Sequence, residues 1–194
     1  MYKLTVAVLA LAITCHSHCI AQSNQNNPPN DDMKAMMAYS TPGDIHKMLA
    51  KSAGSWSATV TMWTQPGAAP MSYSASASDE MILGGRYLKS TNTGTFMGMP
   101  FEGIGITGYD NAKKLFVNSW IDNMGTGIMS MTGTWDAPTK SIRFTGSMVD
   151  PMSGKDIPVR EILRMVDDNN QVLEMYSDMG GKDFKNMEIK YTRK

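Results

Sequence analysis

The sequence predicts an all-β fold: a single ten-stranded antiparallel up-and-down barrel with a short N-terminal helix plugging one end. Three observations predict it. From Ser55 to Lys194 apolar and polar residues alternate with a period of two, and turn-forming residues break the alternation repeatedly. The breaks are short, so no βαβ crossover fits between strands and each strand must pair with the next. A meander this long must close, because open edges would template aggregation. Composition agrees. A chain of 194 residues suits one domain with a real core. The 17 glycines and 19 methionines suit many turns around a soft interior. The 18 Lys and Arg balance 18 Asp and Glu, with no basic block, which excludes nucleic acid as the main partner.

Met1 to Ala21 reads as a signal peptide. Lys3 supplies the positive start, Leu4 to Thr14 is apolar, and Cys19-Ile20-Ala21 resembles a cleavage site. The apolar run is too short to span a bilayer, so no membrane span is expected. A lipoprotein signal needs a small residue before the modified cysteine, and Thr14 before Cys15 and His18 before Cys19 are poor matches. Cleavage after Ala21 removes Cys15, Cys19, His16 and His18, leaving His46 as the sole histidine. The mature protein then has no disulfide, no cysteine nucleophile and no zinc cluster. The expected location is the periplasm or the medium.

Residues 22–40 are expected to form a disordered tether. Gln22 to Asp32 has no apolar side chain and two prolines, too little to offset its ordering entropy. Met33 to Tyr39 has material for a turn or two of helix but no good cap. The domain proper covers 41–194. Thr41-Pro42-Gly43-Asp44 predicts a helix start, with Thr41 as N-cap, Pro42 in the first turn and Asp44 in the capping-box position. Ile45, Met48 and Leu49 form its apolar face, and Gly54 follows its end.

Ten strands are expected over 55–64, 71–83, 86–96, 101–110, 115–122, 126–136, 141–150, 157–167, 171–179 and 185–193. In the first, Trp56, Ala58, Val60 and Met62 share a face; in the last, Met187, Ile189, Tyr191 and Arg193 do. These apolar faces point inward. The same rule places Ala75, Ala77, Met81, Leu83 and Leu88 inside. Arg86 shares parity with Leu88, and Glu102 with Ile104 and Ile106, so both are expected to face the lumen. Trp120 shares a face with Asp122, and Met129 with Met131 and Trp135.

Gly54-Ser55-Trp56, between a helix and the first strand, resembles the Gly-x-Trp signature of the calycins, the lipocalin and fatty-acid-binding-protein group. That resemblance implies that a basic residue of the last strand packs across the tryptophan; Arg193 is the matching position. Leu83-Gly84-Gly85-Arg86-Tyr87-Leu88, Pro100-Phe101-Glu102-Gly103, Gly108-Tyr109-Asp110, Trp120-Ile121-Asp122, Gly133-Thr134-Trp135-Asp136 and Met187-Glu188 resemble a bacterial secreted family, the domain of unknown function 1579. This second resemblance covers most of Thr41 to Arg193. It implies a fold and no activity.

Candidate sites follow from side-chain chemistry. Met97 with Met99, and Met129 with Met131, offer paired thioethers to Cu(I), although methionines at strand parity are ordinarily core filler. Arg86 and Glu102 either orient a ligand head group in the lumen or pair with each other. Glu102 and Asp122 are the candidate carboxylate pair for acid/base chemistry. His46 reads as a surface or barrel-capping residue; heme is not expected, since no histidine sits on a strand. Asp167-Asp168-Asn169-Asn170 lacks calcium-loop spacing and reads as a hairpin turn. Ser74, Ser76 and Ser78 read as a solvated outer face.

The leading functional expectation is non-catalytic binding of a small, mostly apolar molecule, with Arg86, Glu102, Trp120 and Met131 as lumen contacts and Gly54, Trp56 and Arg193 as structural signature. No cofactor, metal or nucleic acid is expected, and the protein is a monomer or homodimer. The alternatives are an acid/base enzyme using Glu102 and Asp122, and a ligand-free structural or envelope-interaction protein.

Overall fold

The computed structural model describes residues 30–178 and 181–194. The expected signal peptide, and the expected tether up to residue 29, lie outside the described residues. Two helices, α1 (Asp31–Ser40) and α2 (Asp44–Ala50), precede ten strands. These are β1 (Gly54–Met62), β2 (Met71–Ile82), β3 (Tyr87–Phe96), β4 (Met99–Asp110), β5 (Leu115–Asp122), β6 (Met129–Asp136), β7 (Ser141–Val149), β8 (Asp156–Met165), β9 (Asn170–Asp178) and β10 (Asp183–Arg193). Each strand pairs antiparallel with the next, and β1 pairs with β10 to close the barrel. The closed meander expected from the sequence is the fold, with all ten strands in place.

The N-terminal helices differ in detail from expectation. Asp31–Ser40, within the stretch expected to be a tether, is helical, because the Asn30 side chain accepts the Met33 N–H at 2.9 Å and two aspartates occupy the first turn. Helix α1 buries none of its residues. It is tied to the barrel by polar contacts to its C-terminal carbonyls: Asn111 donates to Ala38, Tyr39 and Thr41, and Arg86 to Ser40 at 2.7 Å. Thr41 closes α1 rather than opening α2, its hydroxyl donating to the Met37 carbonyl at 2.6 Å. Gly43 is the N-cap of α2, and the ring Nδ1 of His46 accepts its N–H at 3.0 Å.

Short as it is, α2 closes one end of the barrel. Its Leu49 packs into the main core with Phe116, Met131, Ile142, Phe144 and Val159. An edge-to-face aromatic series runs inward from it, from His46 to Tyr109, then Phe116, then Phe144. Beside it the calycin-like signature is complete. Trp56 is 1% exposed, its indole donates to the Ser52 carbonyl at 2.9 Å, and the Arg193 guanidinium lies 4.2 Å from its ring centre. Arg193 also donates to the carbonyls of Lys51, Ala53 and Asp168, which pins the helix end and the turn between β8 and β9 to the final strand. Gly54 has φ +136°, and a Cβ there would lie 2.5 Å from the Arg193 Nη1, so glycine is required.

Candidate functional site

The opposite end carries no helix among the described residues. Four methionines occupy neighbouring register positions on its inner wall: Met71 opposite Met62, Met62 opposite Met187, and Met187 opposite Met175. All four are half-buried although they face inward. Two aromatic pairs complete the rim. Tyr73 and Phe96 have ring centres 5.2 Å apart, and Phe101 stacks with Trp120 at 6.4 Å. Thioethers and rings of this kind make a deformable apolar mouth.

The inner wall of β4 explains why Trp120 sits there. Gly103 and Gly105 face inward, and Trp120 covers both; a Cβ on Gly103 would lie 2.4 Å from its ring. The Trp120 indole donates to Asp122 at 2.7 Å, and the same carboxylate accepts the Met124 N–H. Asp122 is thus committed to its own strand end and turn.

This geometry corrects the expected site. Glu102, Ile104 and Ile106 do share a face, but it is the outer one, because the inner positions between them are Gly103 and Gly105, under Trp120. Glu102 is exposed and does not face Asp122, so the proposed carboxylate pair does not exist. Arg86 is not on a strand. It lies in the turn after Ile82, where its guanidinium donates to the carbonyls of Leu83 and Ser40. Leu83, expected inside, is exposed in the same turn. Met97 and Met99 are exposed at the open rim, so they are not an inner thioether pair. Trp120 and Met131 do face the interior, Met131 within the packed core.

Two acidic residues that sequence reading passed over are inside. Glu161 lies opposite Phe144 on one side and Met175 on the other, at mid-height of β8, and is 7% exposed. No hydrogen bond or ion pair reaches its carboxyl among the described residues, and burial alone pushes its pKa up to about 7. Asp79 faces inward beside Ala77, opposite Ser90. Burial raises its pKa to about 6 against the opposing effects of Ser90 and Arg193, and its Oδ1 is buried without a partner. Tyr191 lies in the field of both carboxyls, and its hydroxyl is held above its usual range by burial and then by those charges. The signal was available in β8: Ile157, Val159, Leu163 and Met165 alternate, and Glu161 falls on the same parity.

Three other inward amides have hydroxyl partners. Asn92 donates to Ser90, Asn118 to Thr107, and Gln171 to Ser52 beneath α2. A recess of about 300 Å³ lies outside this last pair, between α2 and the turns after β6 and β8, with Met48, Trp135 and Met165 in its wall. Another of about 440 Å³ lies along β5, β6 and β7 and reaches Asn118, Met131 and Gly146. Among the described residues no cluster of His, Cys, Asp and Glu could hold a metal ion, and no helix is long and apolar enough to cross a membrane.

The family model described as "Protein of unknown function (DUF1579)" matches residues 41–193, which is the second helix and the whole barrel. The chain belongs to this family. Among 14 solved chains that match the DUF1579 barrel is the crystal structure of Rv2717c from M. tuberculosis. It superposes with a TM-score of 0.59 at 14% identity, covering 79% of this chain and 99% of that one, a likeness that shows the fold alone. No curated protein matches.

Proposed function

We propose that this DUF1579 protein binds a small, mostly apolar molecule inside its barrel, outside the cytoplasm, and that the molecule enters at the methionine-lined end. The reading rests on one observation. Met62, Met71, Met175 and Met187 face inward yet keep part of their surface exposed. Apolar side chains left in that state are stabilised by an apolar guest that removes them from water. Thioethers also adapt to guests of differing shape. The extracytoplasmic location rests on the signal-like Met1 to Ala21 stretch. Trp120 and Met131 remain the proposed contacts from the original set, and Arg86 and Glu102 are replaced by the interior groups.

Titration with an uncharged solvatochromic dye tests the reading. The expected result is saturable blue-shifted emission that is lost in Ala75→Phe, which places a ring on the inner wall of β2 between Ala58 and Gly94. A cooperatively folded protein that takes up neither dye nor any apolar guest during native mass spectrometry overturns it, and favours an interior filled by its own side chains.

A further inference from the structure

The interior polar groups do not balance. Several of its donors are engaged: the amides of Asn92, Asn118 and Gln171 each serve a neighbouring hydroxyl, and the Arg193 guanidinium donates to three backbone carbonyls. What is left over is acceptors. Both oxygens of Glu161 lack a donor among the described residues, and the buried side-chain atoms without a partner are Asp79 Oδ1 and Asn186 Oδ1. Tyr191 lies in the field of both carboxyls. Buried acceptors in this state are costly, and a buried carboxylate is costlier still without a counter-charge.

We propose that the barrel selects amphiphiles bearing a protonated amine, with the ammonium held by the Glu161 carboxyl and Asp79 as the second acidic acceptor of the same interior. This rests on the lumen-binding reading above and names its ligand class. An ammonium brings three donors and a positive charge to a carboxyl that has neither beside it among the described residues. Glu161 stands among Val159, Leu163, Phe144 and Met175, so an alkyl chain attached to that head group runs along apolar wall. An anionic amphiphile such as a fatty acid meets two carboxyls and, among the described residues, no inward cation beyond Arg193, which is engaged by three carbonyls, and is disfavoured by like charge. The titratable group in the field of Glu161 is Tyr191 from β10, which also lies in the field of Asp79 from β2; the neighbouring positions of β7 and β9, Phe144 and Met175, are uncharged.

Decylamine, decan-1-ol and decanoate, equal in chain length, separate the possibilities when each displaces the neutral dye from the full-length mature protein. The amine is expected to bind roughly tenfold or more tightly than the alcohol, one charged hydrogen-bonded contact being worth about that factor, and decanoate more weakly than either. In Glu161→Gln the amine preference is expected to fall to about twofold or less while the alcohol keeps its affinity, which separates loss of charge from loss of fold. With the wild-type protein the preference is expected to shrink at about pH 5, where Glu161 is neutral, and to grow at about pH 8. Equal binding of amine and alcohol, or an undiminished preference in Glu161→Gln, overturns the proposal and leaves lumen binding standing. If none of the three ligands displaces the dye, or the dye itself is not bound, both readings fall.

Discussion

The two ends of this barrel are built from the same ten strands and solve different problems. At the end closed by α2, side chains are chosen for shape. Trp56, Leu49, Phe116 and Ile142 are essentially fully buried, the ring edges of Tyr109, Phe116 and Phe144 interlock, and Arg193 ties three separate carbonyls to the last strand. At the open end the inner wall is methionine, half-buried, with no helix above it among the described residues. Rigid, branched and aromatic side chains specify one packing; an unbranched thioether accepts several. Stability is thus concentrated at one end, which frees the other to accommodate a guest.

The largest expected effect tests that division directly. Trp56→Ala removes a fully buried ring, its bond to the Ser52 carbonyl and the surface under Arg193, and is expected to destabilise by about 3–5 kcal/mol in denaturant unfolding. Met62→Ala, on the same strand and face but at the open end, is expected to cost clearly less than half as much, roughly 1–2 kcal/mol, because its neighbours are not closed around it. Equal losses would mean that the two ends are packed alike.

The interior carboxyl between the two ends supplies the next effect. Glu161 has its pKa raised from 4.5 to about 7, so its protonated form is the one that the fold favours. Its contribution is fully present below about pH 4.5 and is lost as pH rises through 7, because the unfolded chain then binds fewer protons than the native one. At pH 8 the accumulated cost is roughly 3 kcal/mol, and Glu161→Gln is expected to recover most of it while changing little at about pH 4. Unfolding curves at the two pH values check the sign. His46, at the closed end, works in the opposite direction. Its pKa is lowered from 6.5, first by burial, and its unprotonated Nδ1 accepts the Gly43 N–H that caps α2. Its contribution is present above 6.5 and lost as pH falls, so acid loosens the closed end whereas base strains the middle.

Gly54→Ala probes the seam between helix and barrel. The left-handed φ and the close Arg193 guanidinium both oppose a side chain, and a loss of about 1–3 kcal/mol is expected. Part of it should be recovered with Arg193→Lys, whose ammonium does not occupy the same position; no recovery would assign the whole cost to backbone strain.

How far the sequence revealed all this depends on where alternation is clean. In β1, β6 and β10 large apolar residues alternate with small or polar ones, and the inward face follows directly. The rule inverts in β4, where Ile104 and Ile106 face outward and glycines line the lumen, because Trp120 on β5 fills the space that side chains from β4 would need. Long-range packing of that kind leaves no local trace, and it carried Glu102 to the wrong face. Parity also fails when counted through a turn: β2 stops at Ile82, so Leu83 and Arg86 belong to no face at all. Glu161 was hidden differently. Ile162 beside it points outward and is nevertheless buried, which blurs the alternation of Ile157, Val159, Leu163 and Met165 at the one place where the acid occupies the inner side.

The smallest expected effect is the sharpest test of the comparison, because it asks whether shape matters equally everywhere. Met187→Leu and Leu49→Met are near-isosteric changes of the same chemical kind, made at the open and the closed end. At the open end the register partners of Met187 are Met62 and Met175, each able to rearrange, so the substitution should alter unfolding stability by well under about 1 kcal/mol. At the closed end Leu49 fills a gap bounded by Phe116 and Ile142, and a longer flexible chain there should cost about 1 kcal/mol or slightly more. Binding should respond in the reverse order: branching at 187 narrows the range of dye shapes accepted, while Leu49→Met leaves dye affinity unchanged. A stability cost at 187 equal to that at 49, with no change in dye selectivity, would place shape-specific packing at both ends and remove the mouth as the route by which a guest enters.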